Sequence, residues 1–295
     1  MSYRIGALEL DHPVLNGSGT FDAIAARRTF GDEVRARFPF AAFVSKTITP
    51  EPRAGNPPPR LYETASGVIN SIGLPNKGLE GFLAHDLPEL AELPVPLVVS
   101  VMATDLPGFE RLVDGVGGRD EVAALELNIS CPNVKSGLIV GEQPAETQAL
   151  CEAMRKRTDK PLIVKLTPNT ADPAGVAAAA QDGGADAVSL INTLRASAIL
   201  PGATTPWLGA GSGGLSGPAV KPVALEQVRR VSERVEIAVI GMGGIETGRD
   251  AADFLAMGAD LVAVGTANFR DPAAASRVRA ELDELLGAAS NLHLN

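Results

Sequence analysis

Only two cysteines occur in the chain, Cys131 and Cys151. Two thiols cannot hold an internal iron–sulfur cluster that needs four thiolates. They also offer no disulfide framework, the usage expected in a reducing cytosol. Aromatic residues make up only 4% of the 295, so aliphatic side chains must build the core. Basic charge is scarce, with 26 Lys and Arg against 35 Asp and Glu and a net charge of −9. That balance argues against nucleic acid, whose phosphates attract basic surfaces. No apolar run reaches the roughly 20 residues of a membrane helix. The opening residues 1–6 lack the apolar stretch of a secretory signal. The expectation is a cytoplasmic protein with neither a nucleic-acid nor a membrane partner. No metal-ligand set is assigned.

Hydrophobic residues, at 45%, are enough for a sizeable core. Short apolar runs recur at residues 14–16, 41–46, 97–102, 123–129, 162–166, 187–192, 237–241 and 261–265. Between the later runs lie Ala- and charge-rich helical patterns at 173–182, 222–233 and 248–257. Strand alternating with helix implies a parallel sheet. Eight such strands in a chain of this length favour an α/β fold of the (β/α)8 TIM-barrel type, with residues 1–295 as a single domain. An open doubly wound sheet is the competing arrangement. Residues 3–10 read as a hairpin that plugs the barrel floor. Three long loops, 47–81, 131–144 and 193–218, leave the carboxyl ends of strands, where barrel active sites are built. The plainer reading makes them insertions.

The stretch Leu125-Glu126-Leu127-Asn128-Ile129-Ser130-Cys131-Pro132-Asn133 is the most informative. It runs as a strand and then turns. Cys131 sits at that change, between Asn128 and Asn133, as a general base, a nucleophile or a buried filler. Cys151 falls in a helical pattern and reads as core. Lys46 and Lys165 each end an apolar strand, where a lysine is costly to bury. They suit a site that holds negative charge, a Schiff base on Lys165 as in an aldolase, or side chains that snorkel to the rim. Asn70, Asn128, Asn133 and Asn192, with Thr193, form an amide set matched to a flat heterocycle, although Asn also simply favours turns. Gly241-Met242-Gly243-Gly244-Ile245 and Val264-Gly265-Thr266-Ala267 suit the phosphate grip found after the last two strands of barrels. Glu246 breaks the dinucleotide fingerprint. Residues 213–218 are a third cofactor loop or a flexible turn.

Together these motifs resemble the class 1 dihydroorotate dehydrogenases over residues 10–272. The matching strings are Glu51-Pro52-Arg53-Ala54-Gly55-Asn56-Pro57, Asn70-Ser71-Ile72-Gly73-Leu74, the Cys131 stretch, residues 213–222, 240–244 and 264–269. The resemblance implies FMN across the carboxyl end of the barrel, with its phosphate on Gly243, Gly244, Gly265 and Thr266. Lys165 would face the pyrimidine edge of the flavin and stabilise its anionic reduced form. Thr20, Lys46, Thr47, Ser100, Asn128, Ile191 and Gly217 match other flavin-lining positions. The substrate would be held by Lys46, Asn70, Ser71, Ile72, Gly73, Leu74, Asn128, Asn133, Asn192 and Thr193. Cys131 would take a proton from C5 of dihydroorotate while a hydride leaves C6 for the flavin, yielding orotate for pyrimidine (UMP) synthesis.

Residues 213–222 and 265–269 look more like class 1B, in which a separate subunit with FAD and a 2Fe-2S cluster passes electrons to NAD. The class 1A form, a homodimer using fumarate, is the alternative, as is a related flavoenzyme acting on another dihydropyrimidine. The resemblance thus implies a homodimer or a heterotetramer with an electron-transfer subunit. Two positions depart from the family pattern: Ser100 stands where Asn is common, and Asp22 follows Phe21 where Gly is usual.

Overall fold

A computed structural model describes residues 3–130 and 140–292. Eight strands form one parallel sheet: Val14–Asn16, Phe43–Val44, Leu97–Val101, Ala124–Asn128, Leu162–Lys165, Ala187–Leu190, Ala238–Met242 and Leu261–Val264. Neighbours in the sheet are neighbours in sequence, and the last strand pairs with the first, Val262 opposite Val14 and Val264 opposite Asn16. That sequential order, closing on itself, is the barrel and not the doubly wound sheet. The run at 41–46 keeps ladder pairing only at Phe43 and Val44. The run at 187–192 ends its ladder at Leu190.

The strands read as unbroken apolar runs because both faces are buried. Leu97, Val99, Val101, Leu125, Leu127, Leu162, Val164, Val188, Leu190, Val262 and Val264 pack outward against the helices. The alternate residues Val98, Ala124, Ile163, Ala187, Ile240 and Leu261 fill the barrel interior. The same period of two turns Ser100, Glu126, Asn128, Lys165 and Ser189 inward. The barrel therefore has an apolar floor and a polar layer above it. The floor is closed by the expected hairpin, Tyr3–Ile5 with Leu8–Leu10, through Ile5 and Leu10.

Helices begin where a side chain satisfies their first N–H groups. Asp105 caps Leu106–Gly117 by accepting from Gly108 N, and Asp172 caps Pro173–Asp182 through Gly175 N. Thr247 and Asp250 form a reciprocal capping box on Gly248–Ala256. Each cap is worth about 1 kcal/mol.

Two of the three long loops join into a second sheet. Its antiparallel order is Leu194–Ala196, Gly213–Ser216, Gly67–Asn70 and Leu61–Thr64. Glycines permit the contact: a Cβ at Gly213 would lie 2.3 Å from the Asn70 carbonyl oxygen, and one at Gly214 1.9 Å from Thr193 Oγ1. This strap joins the end of the sixth barrel strand to the loop after the second.

Candidate active site

Asn128 ends the fourth strand, and Asn192 follows the sixth. Asn192 Nδ2 donates to Ser130 Oγ at 3.0 Å and to Asn128 Oδ1 at 3.4 Å, and Ser130 Oγ donates to Asn128 Oδ1 at 2.6 Å. Asn192 Oδ1 accepts from Thr193 N, which fixes which way the amide faces. Asn70, on the strap, donates to the Gly214 carbonyl at 3.3 Å, and Thr193 lies beneath Gly214. One wall of the barrel mouth is thus lined by Asn128, Asn192, Thr193 and Asn70.

Next along the strap, Gly73 and Leu74 both have positive φ, 76° and 54°. Leu74 is the described non-glycine residue in that region, and its neighbour Asn76 holds it there. Asn76 Nδ2 donates to the Leu74 carbonyl, and its Oδ1 accepts from Thr49 N and Gly78 N. The 70–76 loop is stapled in this way to the end of the second strand. Ser71 is buried and accepts from Asn56 Nδ2 at 3.0 Å, and Asn56 N donates to the Ile72 carbonyl.

Lys165 ends the fifth strand on the inward face at 6% exposure. It has no hydrogen-bond or ion-pair partner among the described residues. Lys46 is exposed at the mouth, its Nζ beside Gly19. Desolvation by the surrounding wall lowers its pKa, and the Asp22 carboxylate partly opposes that shift. Asp22 also caps the helix Ala23–Phe30 by accepting from Ala25 N. That departure from the family pattern therefore has two structural uses here.

A glycine-lined cradle follows the seventh and eighth strands. Gly243 and Gly244 follow the seventh strand with φ of 126° and 79°. A Cβ at Gly244 would come within 2.8 Å of Lys221 Cβ and 2.9 Å of the Gly217 carbonyl, and one at Gly243 within 3.2 Å of Ile191 Cγ1. Gly265, after the eighth strand, is so placed that a Cβ there would meet, among the described residues, only Thr20 Cγ2 at 3.8 Å. Thr20 Oγ1 donates to the Gly17 carbonyl at 2.7 Å, beside the seam of the first and last strands. Asn268, two residues after Thr266, keeps a buried Oδ1 without a partner among the described residues.

Ser100 and Thr47 lie one layer deeper than these residues. Ser100 is fully buried, and its Oγ sits 2.9 Å from both Thr47 Oγ1 and Glu126 Oε1. Glu126, buried at 2% exposure, also meets Ser189 Oγ at 3.1 Å. Glu126 and Ser189 were not singled out among the sequence candidates, although a charged residue inside an apolar strand was the available signal. Cys131 and Asn133 lie outside the described residues. Cys151 is buried in the helix Pro144–Arg155, as its pattern implied.

Comparison with known proteins agrees with the geometry. The family model described as dihydroorotate dehydrogenase matches residues 2–286. The "Dihydroorotate dehydrogenase B (NAD(+)), catalytic subunit" of Desulforudis audaxviator is 48% identical over 286 residues, covering 96% of this chain and 91% of the relative. The protein of the same name from Citrifermentans bemidjiense is 43% identical over 287 residues, covering 97% and 93%. A crystal structure of DHODH from Eimeria tenella in complex with ferulenol superposes with a TM-score of 0.78 at 25% identity, covering 98% of this chain and 85% of that one. With its closed barrel, its amide-lined mouth and a match along almost its whole length, the chain belongs to the dihydroorotate dehydrogenase family.

Proposed function

We propose that this chain is the catalytic subunit of a class 1B enzyme, oxidising dihydroorotate to orotate in pyrimidine synthesis with FMN as its resident cofactor. The observation that carries the reading is the pairing, in one barrel mouth, of a buried Lys165 that has no partner among the described residues with a cradle at Gly243, Gly244 and Gly265. Both fit a flavin mononucleotide. The glycines leave room for a phosphate to approach the backbone, and Asn268, whose buried Oδ1 has no partner among the described residues, follows two residues after Thr266. Lys165 places a positive charge where an electron-rich heterocycle edge would lie.

When bound, FMN supplies hydride acceptance, chemistry that no side chain provides. The chain's own residues do the rest. Lys46 holds the ring carboxylate of the substrate by charge. Asn70, Asn128, Asn133, Asn192 and Thr193 hold its amide edges, and the 70–74 loop covers it. Thr20, Ile191 and Gly217 line the cofactor, while Thr47 and Ser100 support it from below. Cys131 removes the C5 proton, which requires that the ring be fixed in place, and the amide wall supplies that constraint.

The relatives' names and the shortage of thiols support a separate electron-transfer subunit. Two cysteines leave the chain without the four ligands of a 2Fe-2S cluster. FAD and the cluster would sit on that partner, and NAD would be the final acceptor, in a heterotetramer built on a homodimer of this chain. No helix among the described residues is long and apolar enough to cross a membrane. A cytoplasmic location belongs to the same proposal.

The test is anaerobic mixing of the purified yellow chain with dihydroorotate. Rapid bleaching of the flavin absorbance is expected. A flavin that stays oxidised against dihydroorotate but bleaches with another dihydropyrimidine would overturn the substrate assignment.

A further inference from the structure

A buried carboxyl group lies under the proposed site, and the mechanism above does not use it. Glu126 is at the centre of a chain of oxygens inside the barrel. Ser18 Oγ lies 2.8 Å from the Ser45 carbonyl and 3.0 Å from Thr47 Oγ1. Thr47 Oγ1 lies 2.9 Å from Ser100 Oγ, and Ser100 Oγ 2.9 Å from Glu126 Oε1. Ser189 Oγ meets Glu126 Oε2 at 3.1 Å. These are five oxygen–oxygen contacts, linked by four hydroxyl groups that bring one proton each.

The directions follow from the end of the chain. The Ser45 carbonyl only accepts, so Ser18 spends its proton there. Thr47 must then donate to Ser18, and Ser100 to Thr47. No hydroxyl proton remains for the contact between Ser100 and Glu126. Ser189 spends its own proton on Oε2. An oxygen pair at hydrogen-bond distance without a proton is repulsive, and buried polar groups are nearly always paired. The missing proton must come from the carboxyl group.

We infer that Glu126 is held as a neutral carboxylic acid, donating from Oε1 into a one-way chain through Ser100, Thr47 and Ser18. The charged groups on neighbouring elements support this arrangement. Lys165 is on the adjacent strand, where Asn128 pairs with it, and Lys46 ends the second strand, yet neither forms an ion pair with Glu126. A buried carboxylate with one hydroxyl donor and no paired cation would be poorly compensated. A neutral Glu126 leaves the charge of Lys165 undiminished for an anionic occupant of the mouth. Glu126 is thus a positioning residue that acts through the hydroxyl chain. Its use in the reaction rests on the function proposed above; its protonation does not.

The test is infrared difference spectroscopy on the purified flavin-loaded chain at neutral pH. Subtracting Glu126→Gln from wild type should reveal one carbonyl band of a protonated carboxyl, moving to lower frequency in D2O. Ser100→Ala, which leaves Glu126 in place, should shift that band upward, because the acid O–H loses its acceptor. Carboxylate stretches in place of a carbonyl band would overturn the inference, and Ser100→Ala decides the matter if Glu126→Gln fails to fold. Orotate affinity gives a second reading. Exchanging one neutral group for another should leave it within about twofold, whereas removing an anion should tighten it roughly tenfold, the effect of a unit charge in a poorly screened interior. Absence of orotate binding in the wild type would defeat the functional reading and leave the infrared result to decide Glu126.

Discussion

Asn16 replaces the missing backbone pairing beside Val44. Its Nδ2 donates to the Val44 carbonyl at 2.7 Å, and its Oδ1 accepts from Val44 N at 2.8 Å. The first and second strands share no ladder there, so the Asn16 side chain bridges the seam beside Val44, flanked by the backbone bond from Ala41 N to the Val14 carbonyl at 2.9 Å. Asn16→Leu keeps the approximate volume but leaves a buried N–H and a buried carbonyl unpaired. The expected cost is about 2–4 kcal/mol, from two unsatisfied groups. Urea denaturation measures it. A loss below about 1 kcal/mol would mean that the two strands pair directly once the amide is gone.

Gly244 is tightly confined, with φ of 79° and no room for a Cβ between Lys221 and the Gly217 carbonyl. Lys221 cannot easily give way, because Asp250 and Asp253 both accept from its Nζ. Gly244→Ala should therefore push the 217–221 turn and the cradle apart. The expected protein is folded by circular dichroism, purifies with less than half the flavin of wild type, and has a flavin Kd raised about tenfold or more. Full flavin content would show that the cofactor phosphate does not depend on this turn.

The barrel was legible because buried parallel strands spell themselves as apolar runs, with Ala- and charge-rich helical patterns between the later ones. Lys165, Asn128 and Asn192 were legible as polar residues at the ends of such runs. The strap was not. Gly213 and Gly214 carry no strand propensity, and their partners around Asn70 are far away in sequence. Local pattern cannot announce a pairing that depends on the barrel having already closed. Glu126 shows the same limit at the site. Its letter stands plainly within an apolar strand, but its meaning comes from Thr47, Ser100 and Ser189 on three other stretches of chain. Ser100, expected near the flavin, spends its hydroxyl in that deeper layer.

The two cysteines should behave as different chemical species. Burial pushes the Cys151 thiol up to about 12, with the Glu152 carboxylate adding to the shift. With so little thiolate and no exposure, it should resist thiol reagents at mildly alkaline pH until the chain unfolds. Cys131→Ala should therefore yield a native protein that takes up no label and one equivalent when denatured. The same variant should keep its flavin but reduce it with dihydroorotate about 10²–10⁴-fold more slowly, the usual worth of a positioned base. An unchanged reduction rate would remove Cys131 from the mechanism.

Lys46 makes substrate binding sensitive to pH. Desolvation lowers its pKa below that of a free lysine, with Asp22 partly offsetting the shift. The cation is lost as pH rises through this lowered value, before an ordinary lysine would deprotonate. Affinity for the carboxylate of dihydroorotate should fall across that window. The linkage to stability has the opposite sign. Between the folded and unfolded pKa values the unfolded chain binds more protons, so this group's contribution rises with pH there. Lys46→Met should raise KM at neutral pH and flatten its alkaline increase, with a smaller effect on the limiting rate of flavin reduction. Lys46→Arg should restore much of the affinity and keep it to higher pH, because a guanidinium stays charged. An alkaline rise in KM that persists unchanged in Lys46→Met would assign the titration to another group.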